Sequence, residues 1–254
     1  MVLRWLRAAE DLLVLGGFCM ESGGKSGKSG NTQVDFISRC APDGCELGRY
    51  LERHRAVDYS GRIIDEMDQD EIWQRAALGS DGRLYIAPDR NAYLVQVFGP
   101  DGSMQCQLER EMDGRPRSSE RLASVRRDLE AWSRYYKNPP SEIRCCPSEP
   151  CITGLWPRPN GELWLRTSRG DHPATLGAAI VLDAYDSEGR FLHQVSLECP
   201  FDPYRDVLRP LGSGRLIVIR NGREATLDLK GNTRPNEGNG PVIVTCYRLD
   251  AASH

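Results

Sequence analysis

The chain has 254 residues, with 33 Lys and Arg against 36 Asp and Glu for a formal net charge of −3; hydrophobic residues make up 39% and charged residues 27%. This is the balance of a folded chain able to bury a substantial core, as one large β domain or two ordinary ones, and not that of a disordered one. The slight acidity leaves no general electrostatic pull toward nucleic acid or anionic lipid, and no apolar run approaches the roughly 18 residues of a membrane-spanning helix.

Near the N-terminus Arg4 and Arg7 precede an apolar stretch, but Glu10 and Asp11 interrupt it and no small-residue cleavage site follows. No secretory signal is expected there, and the compartment is left open. Behind Leu12-Leu13-Val14-Leu15 stands "ESGGKSGKSGNTQ" (21–33), which invites comparison with a phosphate-binding loop. That loop has the form G-x-x-x-x-G-K-[ST], so that successive backbone N–H groups converge on the anion ahead of a helix N-terminus. Gly24-Lys25-Ser26 has Cys19 where the first Gly is needed, Gly27-Lys28-Ser29 has Ser22 there, and the following 33–40 lean to β structure. The nucleophile-elbow pattern fails as well, because Asn31 stands where its last Gly belongs. The stretch is predicted to be a hairpin loop and not a nucleotide site.

A recurring phrase follows: "PDGCELGRYLER" from Pro42, "SDGRLYIAPDR" from Ser80, "PDGSMQCQLER" from Pro100, "PNGELWLRTSR" from Pro159, "SEGRFLHQVSLE" from Ser187 and "GSGRLIVIRN" from Gly212. In each, a Gly able to take positive φ leads into alternating or apolar residues, the signal for a tight antiparallel hairpin. The predicted strands fall in fours, at 72–78, 83–87, 92–98 and 104–110 and again at 152–158, 162–167, 178–185 and 190–197. A further unit starts at 207–210 and runs through 216–219 to 242–247, and an earlier, less regular one spans 12–53.

A four-strand meander recurring every roughly 40–50 residues predicts an all-β fold, a β-propeller of four-stranded antiparallel blades. About four blades are expected in this chain, at 12–53, 68–112, 150–198 and 205–249. One such sheet cannot bury both faces alone, so copies stack face to face around an axis; a β-sandwich is the competing arrangement of short strands. Between the second and third units, "SSERLASVRRDLEAWSRYYKNPP" spaces Leu122, Val125, Leu129, Trp132 and Tyr136 three and four apart. This predicts one amphipathic helix near 118–137 within an insertion at 117–140, capped by Ser118 or Ser119, stopped by Pro139-Pro140, and packed on the outside or one face of the sheets.

Nine cysteines are an odd number, so full internal pairing is impossible. Cys40-x4-Cys45 and "CCPSEPC" (Cys145, Cys146, Cys151) have no second pair or histidine in zinc-site register, and no metal or cofactor is expected. His54, His172, His193 and His254 are scattered and form no catalytic set; His172, in a loop beside Arg169 and Asp171, is the best placed of them. The tripeptide "RGD" (169–171) is too short to argue cell adhesion.

The segments "LGSDGRLYIAPDRNAYLVQVFGPDGSM" and "PRPNGELWLRTSRG…IVLDAYDSEGRFLHQVSL" resemble the blades of NHL-type, six-bladed (TolB-like) β-propellers. In those proteins a G-x-L-apolar-V segment is followed by an aromatic, V-F-D-like strand and another D-G. The resemblance covers about 68–249, interrupted by the insertion, and more weakly 12–53. It implies six blades where about four are counted, hence an N-terminally shortened member, strands hidden in irregular regions, or a ring completed by partner chains. It brings no catalytic residue with it.

A propeller gathers ligands where its innermost strands converge on the central channel. The candidate innermost strands place Arg75, Arg158 and Arg209 near the channel mouth, with Trp73 and Trp156 beside them, as a cationic ring for an anionic ligand. The alternative for such arginines is to cover apolar surface with their stems. Two function classes follow. The first is a non-enzymatic module that binds an unknown small molecule or protein, with homo-oligomerisation through open propeller edges. The second is a metal-dependent hydrolase or lyase in the channel, which needs acidic side chains on several innermost strands, of which Asp206 is the one in view.

Overall fold

The computed structural model describes residues 2–9, 12–22, 31–57, 63–133, 139–171, 180–211, 214–222 and 241–249. It is mostly β structure, with three four-stranded sheets, one three-stranded sheet and a two-stranded pair. The first sheet is β1 (Val2–Ala9), β2 (Leu12–Ser22), β3 (Asn31–Cys40) and β4 (Glu46–Val57), in that spatial order. After β5 (Ile63–Asp65) come β6 (Ala76–Leu78), β7 (Leu84–Ile86), β8 (Tyr93–Phe98) and β9 (Met104–Arg110), the second sheet. Helix α1 (Ser119–Ser133) and β10 (Glu142–Arg144), which pairs in parallel with β5, precede the third sheet. That sheet is β11 (Ile152–Pro157), β12 (Leu163–Asp171), β13 (Ile180–Tyr185) and β14 (Phe191–Leu197). The last is β15 (Val207–Leu211), β16 (Arg215–Arg220) and β17 (Ile243–Arg248). All four larger sheets are antiparallel meanders in chain order.

The turn chemistry explains why. Gly44, Gly82, Gly102, Gly161, Gly189 and Gly214, the glycines of the recurring phrase, all have positive φ, from 68° to 89°. At five of these turns an Asp or Asn carboxyl or amide oxygen accepts the N–H two residues on: Asp43 from Cys45, Asp81 from Arg83, Asp101 from Ser103, Asn160 from Glu162 and Asp186 from Glu188. Such side chains mimic a backbone turn and position the glycine behind them.

The sheets stack in chain order, and alternation along each strand supplies both contacts. Leu84, Ile86 and Phe98 of the second sheet pack on Val14, Ile37 and Tyr50 of the first, while Tyr85, Tyr93, Val95 and Val97 turn the other way, onto Leu155, Leu163 and Leu165 of the third. The third sheet in turn buries Trp156, Ile180 and Leu182 against Leu208, Leu216 and Val218 of the last. Leu163, Leu165 and Ile180 are at most 1% exposed, and burial of one such side chain stabilises by about 1.5–3 kcal/mol. Polar bonds also cross: the Tyr93 hydroxyl donates to Asp183 Oδ2 at 2.9 Å between the second and third sheets. Strand β6 lies beside β1 and β11, so the opening strands of successive sheets are neighbours.

Several expectations need adjustment. Residues Ile72–Arg75, predicted as the start of a strand, form a 3-10 turn whose Ile72 and Trp73 plug the first interface, and the strand begins at Ala76. The first sheet has β1 ahead of the predicted 12–53, and the last has three strands among the described residues. The pair β5 and β10 gave no sequence signal, being three residues each. The Gly- and Ser-rich 23–30 lie outside the described residues, but Ser22 and Asn31 on either side are antiparallel partners, as a hairpin loop requires. Helix α1 is capped by Ser118, whose Oγ accepts the N–H of Arg121 at 3.1 Å, and Val125 and Leu129 pack on Ile64 of β5. Tyr136 lies outside the described residues. No helix among the described residues is long and apolar enough to cross a membrane.

Candidate functional site

The chain between β9 and α1 doubles back on the segment that leads into β11. Arg117 N–H donates to Pro147 O and Glu149 N–H to Arg115 O, each at 2.9 Å, and Pro116 bridges Ser148. Arg115 N–H is tied to Ser168 Oγ of β12 at 3.0 Å. The approach is close enough that a Cβ on Gly114 would meet Glu149 O at 2.1 Å. This clamp presents Arg115, Arg117 and Arg121 to a cavity of about 270 Å³, whose other walls come from Gln74-Arg75 ahead of β6, Glu149-Pro150 ahead of β11 and Pro203-Tyr204 ahead of β15. Each of these segments runs into the opening strand of a sheet, and the cavity forms where the three entry segments meet.

Its charges are held by a wired network. Arg117, whose side chain is 3% exposed, donates to Glu66 at 2.6 and 2.7 Å, to Glu149 at 2.9 Å and to Cys146 O at 2.9 Å. Arg121 Nε donates to the other Glu149 oxygen at 2.8 Å, and Arg90 donates to Glu66 at 3.0 Å. Burial by itself raises the carboxyls of Glu66 and Glu149, but the guanidinium partners outweigh it and hold both below the usual carboxylate range. Arg115 donates to the Tyr204 hydroxyl at 2.5 Å, and the guanidinium carbons of Arg115 and Arg121 lie 5.5 and 4.5 Å from the Tyr204 ring centre. Asp70 is likewise held low: burial raises it, and Arg75 and Arg53 overcome that. Arg53 also reaches Asp35 of β3 at 2.9 Å, so the network runs from the first sheet to the cavity wall.

Of the sequence-nominated residues, Arg75 lines the cavity, though its guanidinium is turned to Asp70 and to Ala87 O. Arg158 sits past the far end of β11, in the turn to β12, with its guanidinium 4.4 Å from the Trp164 ring centre. Arg209 is exposed on the face of β15 opposite Leu208. Trp73 and Trp156 are core residues at two different sheet interfaces. Asp206 is buried and accepts the backbone N–H groups of Asp202 and Asn221, a turn-stabilising role. His193 is exposed on β14, His54 is exposed beside Glu52, and His172 and His254 lie outside the described residues.

All nine cysteines are free thiols; Cys151, buried with its Sγ on Met112 O, is pushed up to about 11 by desolvation. Among the described residues no three His, Cys, Asp or Glu side chains are grouped as a metal site. The residues that sequence reasoning missed are Arg115, Arg117, Arg121, Glu149 and Tyr204. Arg121 alone carries a local signal, a cation in the first turn of a helix, against its dipole.

No family model matches the chain, and no curated protein matches it. Among solved structures, a protein of unknown function from Bacteroides caccae aligns over 87% of this chain and 72% of its own, at 11% identity and a TM-score of 0.33.

Proposed function

We propose that the chain is a non-enzymatic binding module, an arc of β-propeller blades whose ligand site is the arginine-lined cavity. The observation that carries this reading is the meeting, at one cavity, of the segments entering three successive opening strands, joined by the clamp ahead of α1. Segments entering several sheets reach a common point there, which is where a stacked meander can build a site. A binding role is favoured because the acidic groups nearest the cavity, Glu66, Glu149 and Asp70, are ionised counter-charges locked between guanidinium groups. A carboxylate so stabilised is a weak base and does not carry a proton near neutral pH. The NHL-type resemblance of the recurring phrase agrees with the blade reading.

The test is a thermal-shift screen of neutral and charged metabolites against the chain and against Thr153→Trp, which fills the cavity. Hits that stabilise the natural chain and are lost in the variant are expected; hits that persist in the variant, or a screen with none, would reject the site. Metal analysis of the purified chain separates this reading from a hydrolase or lyase, because stoichiometric calcium or zinc would favour catalysis.

A further inference from the structure

Resting on that reading, we infer that the cavity binds a small oxyanion, a carboxylate or phosphate group, gripped by the guanidinium groups of Arg115 and Arg121 beside the Tyr204 ring. Four arginines and a single carboxylate line the space. Arginine presents its N–H groups in a planar fork that matches carboxylate and phosphate oxygens two at a time, so this lining is chemically selective and not merely positive.

The second observation is how the three arginines divide the work. Arg117 uses both terminal nitrogens on Glu66, Glu149 and Cys146 O and so fixes Glu149 in the wall, while Arg115 and Arg121 lie against the Tyr204 ring, with guanidinium carbons 5.5 and 4.5 Å from its centre. The start of α1 adds to the same field: Arg121 lies in its first turn, where a cation is locally disfavoured, and the N-terminal N–H groups of the helix favour negative charge.

The volume of about 270 Å³ lies just under the usual range of drug-sized pockets, so the anion belongs to a small molecule and not to a polymer. Pro150, Ile152 and Pro203 offer apolar contact for its remainder.

Titration calorimetry of the whole chain in low-salt buffer, with sodium malonate and with inorganic phosphate as separate probes, tests the inference. One-to-one binding is expected, weakened at least tenfold in Arg115→Gln and in Arg121→Gln and unchanged in Arg215→Gln, an exposed control. Tighter binding of malonate assigns the carboxylate, and tighter binding of phosphate the phosphate. Circular dichroism of each variant guards against loss of fold. Failure of both anions to bind the natural chain at millimolar concentration, or equal affinity in the glutamine variants, overturns the inference. If neutral compounds then bind and Thr153→Trp abolishes it, the anion is wrong and the site stands; if nothing binds at the cavity, the module reading falls with it.

Discussion

Asp70 accepts from two arginines that arrive from different elements, Arg53 of β4 and Arg75 ahead of β6, and it is 7% exposed. Such a residue contributes less by its attraction than by preventing the buried Arg75 from standing without a carboxylate, since Arg53 keeps Asp35. Asp70→Ala is therefore expected to destabilise by about 3–5 kcal/mol in urea titration, whereas Glu52→Ala, on an exposed pair, leaves the urea midpoint close to that of the natural chain.

The three carboxyls held low, Glu66, Glu149 and Asp70, also set a pH dependence. Each has a folded-state pKa below its unfolded value, which is near 4, so its stabilisation is complete above about pH 5 and is lost as pH falls through 4 and below. Unfolding midpoints measured from pH 7 to pH 3 should fall steeply over the last two units, and a flat profile would contradict the network. The hydroxyl of Tyr93, kept protonated by burial, is a fixed donor to Asp183, and Tyr93→Phe should cost about 1–3 kcal/mol.

At the scale of the element, the turns carry the repeat. Gly161 has φ of +86° and only Ser187 Cβ within reach of an added methyl, at 3.7 Å, so Gly161→Ala tests backbone conformation with little steric conflict. A loss of about 1–2 kcal/mol is expected from chemical denaturation. Gly114 is different: its backbone is unstrained, but an added Cβ must displace the carbonyl of Glu149. Gly114→Ala should part the clamp between the α1 lead-in and the β11 lead-in, and lower both the thermal midpoint and affinity for any cavity ligand. Retention of ligand binding at full strength would show that the clamp does not shape the cavity.

Over the whole molecule, stability is divided among successive sheet interfaces, each built from alternate residues of the same short strands. Leu165 is fully buried between the second and third sheets, and Leu165→Ala should cost about 2–5 kcal/mol. Since the middle sheets serve two interfaces, fluorescence and circular dichroism should report one coincident transition in this variant; separate transitions would mean that the sheets unfold independently. The last sheet leaves Val244 63% and Ile243 44% exposed on β17, an edge strand among the described residues. Mass by light scattering reads whether that edge is shared between copies.

The meander, its hairpin positions, the helix and its stripe were legible in the sequence, because Asp-Gly and Asn-Gly turns and residue alternation are local properties that the chain expresses without knowing its neighbours. The candidate site was not. Arg75 could be placed near the entry to a strand, but Arg158 follows the far end of its strand and Arg209 projects to solvent, since strand bounds and facing depend on register and on what packs against each side. Arg115, Arg117, Arg121, Glu149 and Tyr204 meet only after an insertion folds back over 80 residues of sequence, as the bond from Arg115 to Tyr204 with its separation of 89 shows. Charge pairing of that range is decided by packing of the sheets, which brings together side chains that no local pattern links.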